Sequence, residues 1–308
     1  MSLPQSIRNR LKLPAIAAPM FLVSGPELVI ATCKSGVIGS FPAMNARTSA
    51  EFADWMKQIE AATGPETAPY AVNFPLSRMK GGGLDAYLEI CRDYKTPIII
   101  TSVGSPKAIV PIVHDWGGLV FHDVTTVHHA KKAADAGADG LILVCAGAGG
   151  HGGAATPFAL VEQVRSFFDG TIIVAGAIST GRAIRAAEIL GADLAYLGTR
   201  FIATTEAMAE DAYKDMILSE ETSDIVYTNA ISGLPANFMR SSLETVGLDA
   251  DNLPEPHGPF QPNLPGGITA WKSVWSAGQG VGLIDHSPTT AELVDQLISE
   301  YQAARETL

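Results

Sequence analysis

Cysteine is scarce and badly placed for structural use. Cys33, Cys91 and Cys145 are an odd number at wide spacings, which excludes a disulfide framework and a C-x-x-C metal or redox motif. A reducing, cytoplasmic setting is expected. Positive charge is also short, with 21 Lys and Arg against 32 Asp and Glu and a formal net charge of -11. No basic cluster offsets it, so neither nucleic acid nor an anionic membrane is expected as a partner. The stretch from Met1 to Pro14 has no apolar signal core, and no apolar run reaches membrane-spanning length, so neither export nor an anchor is expected. Three catalytic patterns are missing as well. No G-x-G-x-x-G follows the first strand-like run, no H-E-x-x-H or H-x-x-x-H appears, and no G-x-S-x-G follows a strand. A dinucleotide fold, a metal centre and a serine hydrolase are therefore not expected.

What the chain does have is alternation. Its 308 residues are 47% hydrophobic with only 7% aromatic, a composition that suits a buried α/β core. Short apolar runs alternate with alanine-rich stretches of helical length, the pattern of successive βα units. Eight runs can be counted: Ile16 to Ala18, Val37 to Gly39, Tyr70 to Val72, Pro97 to Ile100, Leu119 to Phe121, Gly140 to Val144, Thr171 to Ala175 and Leu194 to Leu197. Helices are expected between them at 26–35, 49–62, 84–92, 106–116, 126–136, 157–168 and 180–190, several opening with Ser, Thr or Pro. The phrases Ala136-Gly137-Ala138-Asp139 and Leu190-Gly191-Ala192-Asp193 each close a helix and lead into a strand. An open doubly wound sheet rarely needs eight runs in about 200 residues, so a (β/α)8 TIM barrel is preferred. Residues 1–218 would form it, completed by a C-terminal helix within 283–308. The segment 219–282, rich in Pro and Gly with little strand pattern, reads as an accessory lid, and Gly81-Gly82-Gly83 as a flexible connector.

In such a barrel, ligands sit at the C-terminal strand ends. The sixth run feeds Cys145-Ala146-Gly147-Ala148-Gly149-Gly150-His151-Gly152-Gly153, where an ionisable imidazole stands among backbone that a flat or phosphorylated ligand can approach closely. A tight turn with a structural histidine is the competing reading of this loop alone. Gly176-Ala177 after the seventh run and Gly198-Thr199 after the eighth suit the phosphate site that barrels build there, with the start of a short extra helix. Either loop alone could be a mere turn, and together they favour phosphate.

These residues resemble the nitronate monooxygenase (2-nitropropane dioxygenase-like) family of flavin barrels over essentially the whole chain. The resemblance rests on Ala148-Gly149-Gly150-His151-Gly152, Ala175-Gly176-Ala177-Ile178 with Gly181-Arg182, Gly198-Thr199-Arg200-Phe201, Ile231-Ser232-Gly233-Leu234-Pro235-Ala236, and Trp275-Ser276-Ala277-Gly278-Gln279-Gly280. It implies FMN, its phosphate held by Gly176, Ala177, Gly198 and Thr199. The ring would lie over Pro19 and Met20, beside Asn73, Ala175, Gly149 and Gly150, with Gln279 and Gly280 closing over it. His151 would be the catalytic residue on the substrate side, taking a proton from a nitroalkane or binding its nitronate. Asp123 departs from the pattern, because many relatives carry lysine there; a carboxylate would repel an anionic reduced flavin.

The expected reaction is oxidation of an alkyl nitronate with O2 to a carbonyl compound and nitrite. The alternatives are an NAD(P)H-dependent reductase acting on a quinone or enoyl thioester, and a non-enzymatic barrel that binds FMN. A homodimer is left open.

Overall fold

The computed structural model describes residues 3–79 and 83–307. Gly81 and Gly82 of the expected connector lie outside them. The barrel strands are β1 (Ala15–Ala17), β2 (Gly39–Pro42), β3 (Tyr70–Pro75), β4 (Ile98–Ser102), β5 (Leu119–Val124), β6 (Gly140–Val144), β8 (Thr171–Ala175) and β9 (Leu194–Leu197). A second sheet contains β7 (Gly150–His151), β10 (Ile225–Thr228) and β11 (Ala236–Met239). The helices are α1 (Gln5–Arg8), α2 (Pro26–Ser35), α3 (Ser49–Ala62), α4 (Gly83–Asp93), α5 (Val110–Asp115), α6 (Val127–Asp135), α7 (Pro157–Arg165), α8 (Gly181–Ile189), α9 (Thr199–Ile202), α10 (Asp211–Ser219), α11 (Arg240–Thr245) and α12 (Thr290–Glu306). Among the described residues no helix is long and apolar enough to cross a membrane.

The eight barrel strands are all parallel, in the order β1-β9-β8-β6-β5-β4-β3-β2. The ring closes through a bridge between Ile16 and Ile38, where Ala17 N–H donates to the Ile38 carbonyl at 2.8 Å. The second strand starts two residues later than the sequence pattern predicts. Val37 is still tied to the end of α2, its N–H donating to the Thr32 carbonyl at 3.1 Å. The barrel interior is filled by Ile16, Ile98, Ile100, Phe121, Ile142 and Ile173, all fully buried. Strands covered on both faces explain why the runs are continuously apolar rather than alternating. The helix expected over 106–116 is divided into a 3-10 turn at Pro106–Ala108 and α5, because Pro111 has no N–H for a continuous ladder.

The two repeated phrases do the same work at the bottom of the barrel. Asp139 accepts the Val120 N–H at 2.8 Å, and Asp193 accepts the Ile172 N–H at 2.9 Å, so each carboxylate pins the neighbouring strand's first residues. Arg165 reaches Asp193 at 2.8 Å and closes that end of β8.

The C-terminal helix α12 packs on α8 at Gly181. A Cβ there would stand 2.1 Å from the Leu297 carbonyl oxygen and 2.4 Å from the Tyr301 amide, both backbone atoms that cannot swing aside. Gly181 N–H also donates to Glu300 at 2.7 Å. Gly181→Ala is therefore expected to push α12 off α8 and lower stability by roughly 1–3 kcal/mol, the usual cost of overpacking. Urea unfolding measures it, and an unchanged midpoint would show that the helices part without cost.

The segment after α10 is more ordered than its composition suggests. β10 and β11 pair antiparallel, and β11 pairs in turn with β7, setting Ala236 opposite His151 and Asn237 opposite Gly150. Ile231, Phe238, Leu243 and Val274 give this unit its own small apolar core.

Candidate active site

At the C-terminal strand ends the barrel opens into a cavity of about 770 Å³. Its walls include Pro19, Met20, Asn73, Asp123, Gly149, Gly150, His151, Ala175, Gly176, Ala177, Gly198, Thr199 and Gly280. Gln279 differs from these. It is exposed and does not line the cavity, although its backbone ties the accessory segment to the glycine loop: its N–H donates to the Gly147 carbonyl at 2.9 Å, and its carbonyl accepts from Thr222 Oγ1 at 2.8 Å.

The glycine loop and the accessory segment meet with almost no space between them. A Cβ on Gly278 would stand 2.6 Å from the Gly147 carbonyl oxygen, and one on Gly149 would stand 2.9 Å from Gly278 N. Hydrogen bonds complete the seam: Asn237 Nδ2 to Ala148 O at 2.7 Å, Tyr227 Oη to Gly152 O at 3.1 Å, Gly278 N to Thr199 Oγ1 at 2.8 Å and Ser179 Oγ to Gly280 O at 2.9 Å. The accessory segment thus forms part of the cavity wall, through Leu234, Trp271, Ser276, Gly278 and Gly280.

His151 sits where β7 meets β11. Its ring packs edge-on against Trp271 at 4.8 Å between centroids, Phe260 stands 6.4 Å away, and Nε2 lies 3.0 Å from Ser232 Oγ. Arg78, from the turn after β3, lies 5.8 Å from the Phe260 ring centroid and 5.9 Å from that of Trp271. Burial, helped by the Arg78 charge, lowers the His151 pKa from 6.5 to about 4. The imidazole is therefore neutral near pH 7, with a lone pair available to take a proton. No sequence motif marks Arg78, Phe260 or Trp271, which come from segments remote from His151 in the chain, and Ser232 lies within the phrase Ile231 to Ala236 with nothing local to tie it to a histidine.

Asp123 and His122 belong to β5 itself. His122 is buried, with Nδ1 2.8 Å from Thr101 Oγ1, and burial followed by the His129 charge lowers its pKa to about 4. Asp123 has its Oδ1 enclosed without a hydrogen-bond partner among the described residues, as has the Tyr196 hydroxyl nearby. Burial pushes the Asp123 pKa from 3.8 up to about 7. The repulsive carboxylate anticipated at this position is thus partly a neutral acid at neutral pH. Asn73 gives its Nδ2 to the Ile100 carbonyl at 3.3 Å and Ser102 Oγ at 3.4 Å, which leaves Oδ1 to accept from a ligand.

These shifts have opposite consequences for stability. An acid whose pKa is raised by folding holds its proton more tightly in the folded state, so its contribution is full below about pH 4 and is lost as pH rises through 7. The two depressed histidines contribute fully above about pH 6.5 and lose that contribution as pH falls through 4. Asp123→Asn is accordingly expected to stabilise the protein at pH 8 but hardly at pH 4.5. The gain should be on the order of 2 kcal/mol, about half the full value of the shift, because part of the residue still faces the cavity. Urea midpoints at the two pH values measure it; equal gains at both would show that the carboxyl is not buried as a charge.

A closed parallel barrel with a cavity at its C-terminal strand ends, lined by a glycine loop and its neutral histidine, defines a barrel enzyme with its active site in that cavity. Residues 79–300 match the family model described as nitronate monooxygenase. A nitronate monooxygenase of Paraburkholderia phytofirmans is 29% identical, the match covering 96% of this chain and 94% of that one. The structure of nitroalkane oxidase from Streptomyces ansochromogenes superposes with a TM-score of 0.81 at 25% identity, covering 98% and 99% of the two chains. FabK from Thermotoga maritima shares the fold, with a TM-score of 0.78 at 24% identity over 98% of this chain and 96% of that one. The chain belongs to the nitronate monooxygenase family and is an oxidoreductase of that family.

Proposed function

We propose that the protein holds FMN in this cavity and oxidises alkyl nitronates with O2 to a carbonyl compound and nitrite, His151 serving as the base that brings neutral nitroalkanes into the reaction. The observation that carries the reading is a neutral, half-buried imidazole lining the same cavity as two adjacent small-residue strand ends. Gly176 and Ala177 follow β8 directly, and Gly198 and Thr199 follow β9, its pairing partner. A Cβ on Gly198 would meet its nearest neighbours only at ordinary van der Waals distance, 3.7 Å or more, and the residue lines the cavity, so the backbone there can be approached by a phosphate.

The residues present fit the flavin. Gly176, Ala177, Gly198 and Thr199 would hold its phosphate, and Pro19, Met20 and Ala175 would underlie the ring. Gly149, Gly150 and Gly280 would bring backbone close to it, with Asn73 Oδ1 and the cavity side of Asp123 at its polar edge. When bound, the flavin supplies the electron transfer; the chain's share is position, exclusion of water and proton transfer. Residues 219–282 act as the lid over the 1–218 barrel, which is completed by α12 within 283–308.

An absorbance spectrum of the purified protein, with chromatography of the heat-released chromophore, tests the cofactor. Nitrite release from a nitronate under O2 tests the reaction. FAD, or no flavin in a folded sample, would overturn the first. Flavin reduced by NADH under anaerobic conditions, with a quinone turned over and no nitrite formed, would overturn the second in favour of a reductase.

A further inference from the structure

The Ser232 hydroxyl has one proton and three polar neighbours. The residue lies at the turn between β10 and β11 and is only 6% exposed. Its Oγ is 3.0 Å from the Leu234 carbonyl oxygen, 3.4 Å from the Leu234 amide nitrogen and 3.0 Å from His151 Nε2. The carbonyl can only accept and the amide can only donate. If the hydroxyl proton goes to the carbonyl, the oxygen's lone pairs remain for the two N–H groups, and all three contacts are satisfied together. Turning the hydroxyl toward Nε2 instead would take the serine donor from the carbonyl, leaving one of the three contacts unmade.

From this we infer that Ser232 is a positioning residue which holds His151 in the tautomer protonated on Nε2, so that Nδ1 is the atom that removes the substrate's carbon-bound proton. Nδ1 has no hydrogen-bond partner among the described residues and is not one of their enclosed, unpartnered polar atoms, and His151 is one of the residues lining the cavity. The geometry supplies the rest of the support. Trp271 stands edge-on at 4.8 Å, limiting the ring's freedom to flip, and the β7 to β11 pairing places Ala236 directly across from His151. The phrase Ile231 to Ala236 thereby acquires a chemical role, since its turn carries the hydroxyl to a histidine 81 positions earlier. In the step itself the C–H proton passes to Nδ1 and the C–H electron pair is delocalised into the nitro group. A neutral imidazole and a neutral nitroalkane become an imidazolium and a nitronate, and no other reactant is needed.

The inference rests on the proposed role of His151 as base, but its first test does not depend on turnover. In protein carrying ¹⁵N-labelled histidine, long-range proton to nitrogen spectra at pH 7 distinguish the two neutral tautomers, and His151→Asn identifies the signals of His151. The expected result is an unprotonated-type shift on Nδ1 and a protonated-type shift on Nε2. Ser232→Ala should move both shifts toward the average of the two tautomers, and Ser232→Thr, which keeps the hydroxyl, should restore them. A proton on Nδ1 in the parent protein, or a pattern indifferent to Ser232→Ala, would overturn the inference. Kinetics supply the second reading. Ser232→Ala should reduce kcat/KM for a neutral nitroalkane about 10-fold more than for its preformed nitronate, at equal flavin content, with Thr recovering most of the loss; equal losses on both substrates would count against the positioning role. If the parent turns over neither substrate, the proposed function fails while the spectra still decide the tautomer.

Discussion

His151→Asn is expected to reduce kcat/KM for a neutral nitroalkane by about 10²-fold to 10⁴-fold, the range for loss of a general base. Turnover of the preformed nitronate should fall much less. The difference follows from the proton inventory: the nitroalkane must lose a carbon-bound proton within the cavity, and the nitronate has already lost it. The imidazole is suited to the task because burial keeps it neutral, with its pKa near 4. Imidazolium formed beside a nascent nitronate is then stabilised by that anion, which offsets the burial that disfavours the charge in the free protein. Asparagine keeps a polar group near Ser232 but cannot take the proton. Because it could also weaken binding of both substrates, the informative quantity is the ratio of the two losses in variants of equal flavin content. Equal losses would remove the base role and leave His151 as a binding or packing residue.

The barrel was legible because its strands are buried on both faces, so the runs ending at Ile100, Val144, Ala175 and Leu197 stand out as apolar blocks. Strand ends then located the cavity, and the glycines and His151 that line it came with them. The segment 219–282 could be read as accessory, but how it joins the glycine loop was not legible. Its decisive pairing involves β7, two residues long and containing glycine, and so short an element shows neither a strand period nor strand propensity. Its partner β11 lies more than 80 positions away, and nothing local announces the match. The aromatic and cationic surroundings of His151 were hidden for the same reason, since Arg78, Phe260 and Trp271 meet only once the accessory segment has folded over the loop. Asp123 was noticed as a departure, but its protonation depends on how completely Oδ1 is enclosed, which no sequence pattern expresses. Arg200 teaches the converse. It stands in a conspicuous phrase beside Thr199, yet it is buried, absent from the cavity wall, and directed toward Gln296 of α12 at 3.4 Å.

Gly198→Asp is expected to weaken flavin retention by about 10³-fold while leaving the barrel folded. The steric side is favourable to the substitution: φ at Gly198 is -99°, outside the left-handed region, and a Cβ would meet only Met20 and Ala18, at 3.7 and 3.8 Å. Gly198→Ala should therefore fold normally and keep most of its flavin. The electrostatic side is not favourable. A carboxylate about 4 Å from a phosphate charge costs about 4 kcal/mol at the effective dielectric of a protein surface, which corresponds to the stated factor. Gly198→Asn separates the two effects, because it has the size of aspartate without the charge. If the cradle lies between β8 and β9, flavin per folded chain should fall sharply for Asp and only modestly for Asn, with circular dichroism unchanged in both. Equal losses for Asn and Asp would point to steric exclusion instead, and full retention in both would move the phosphate away from Gly198.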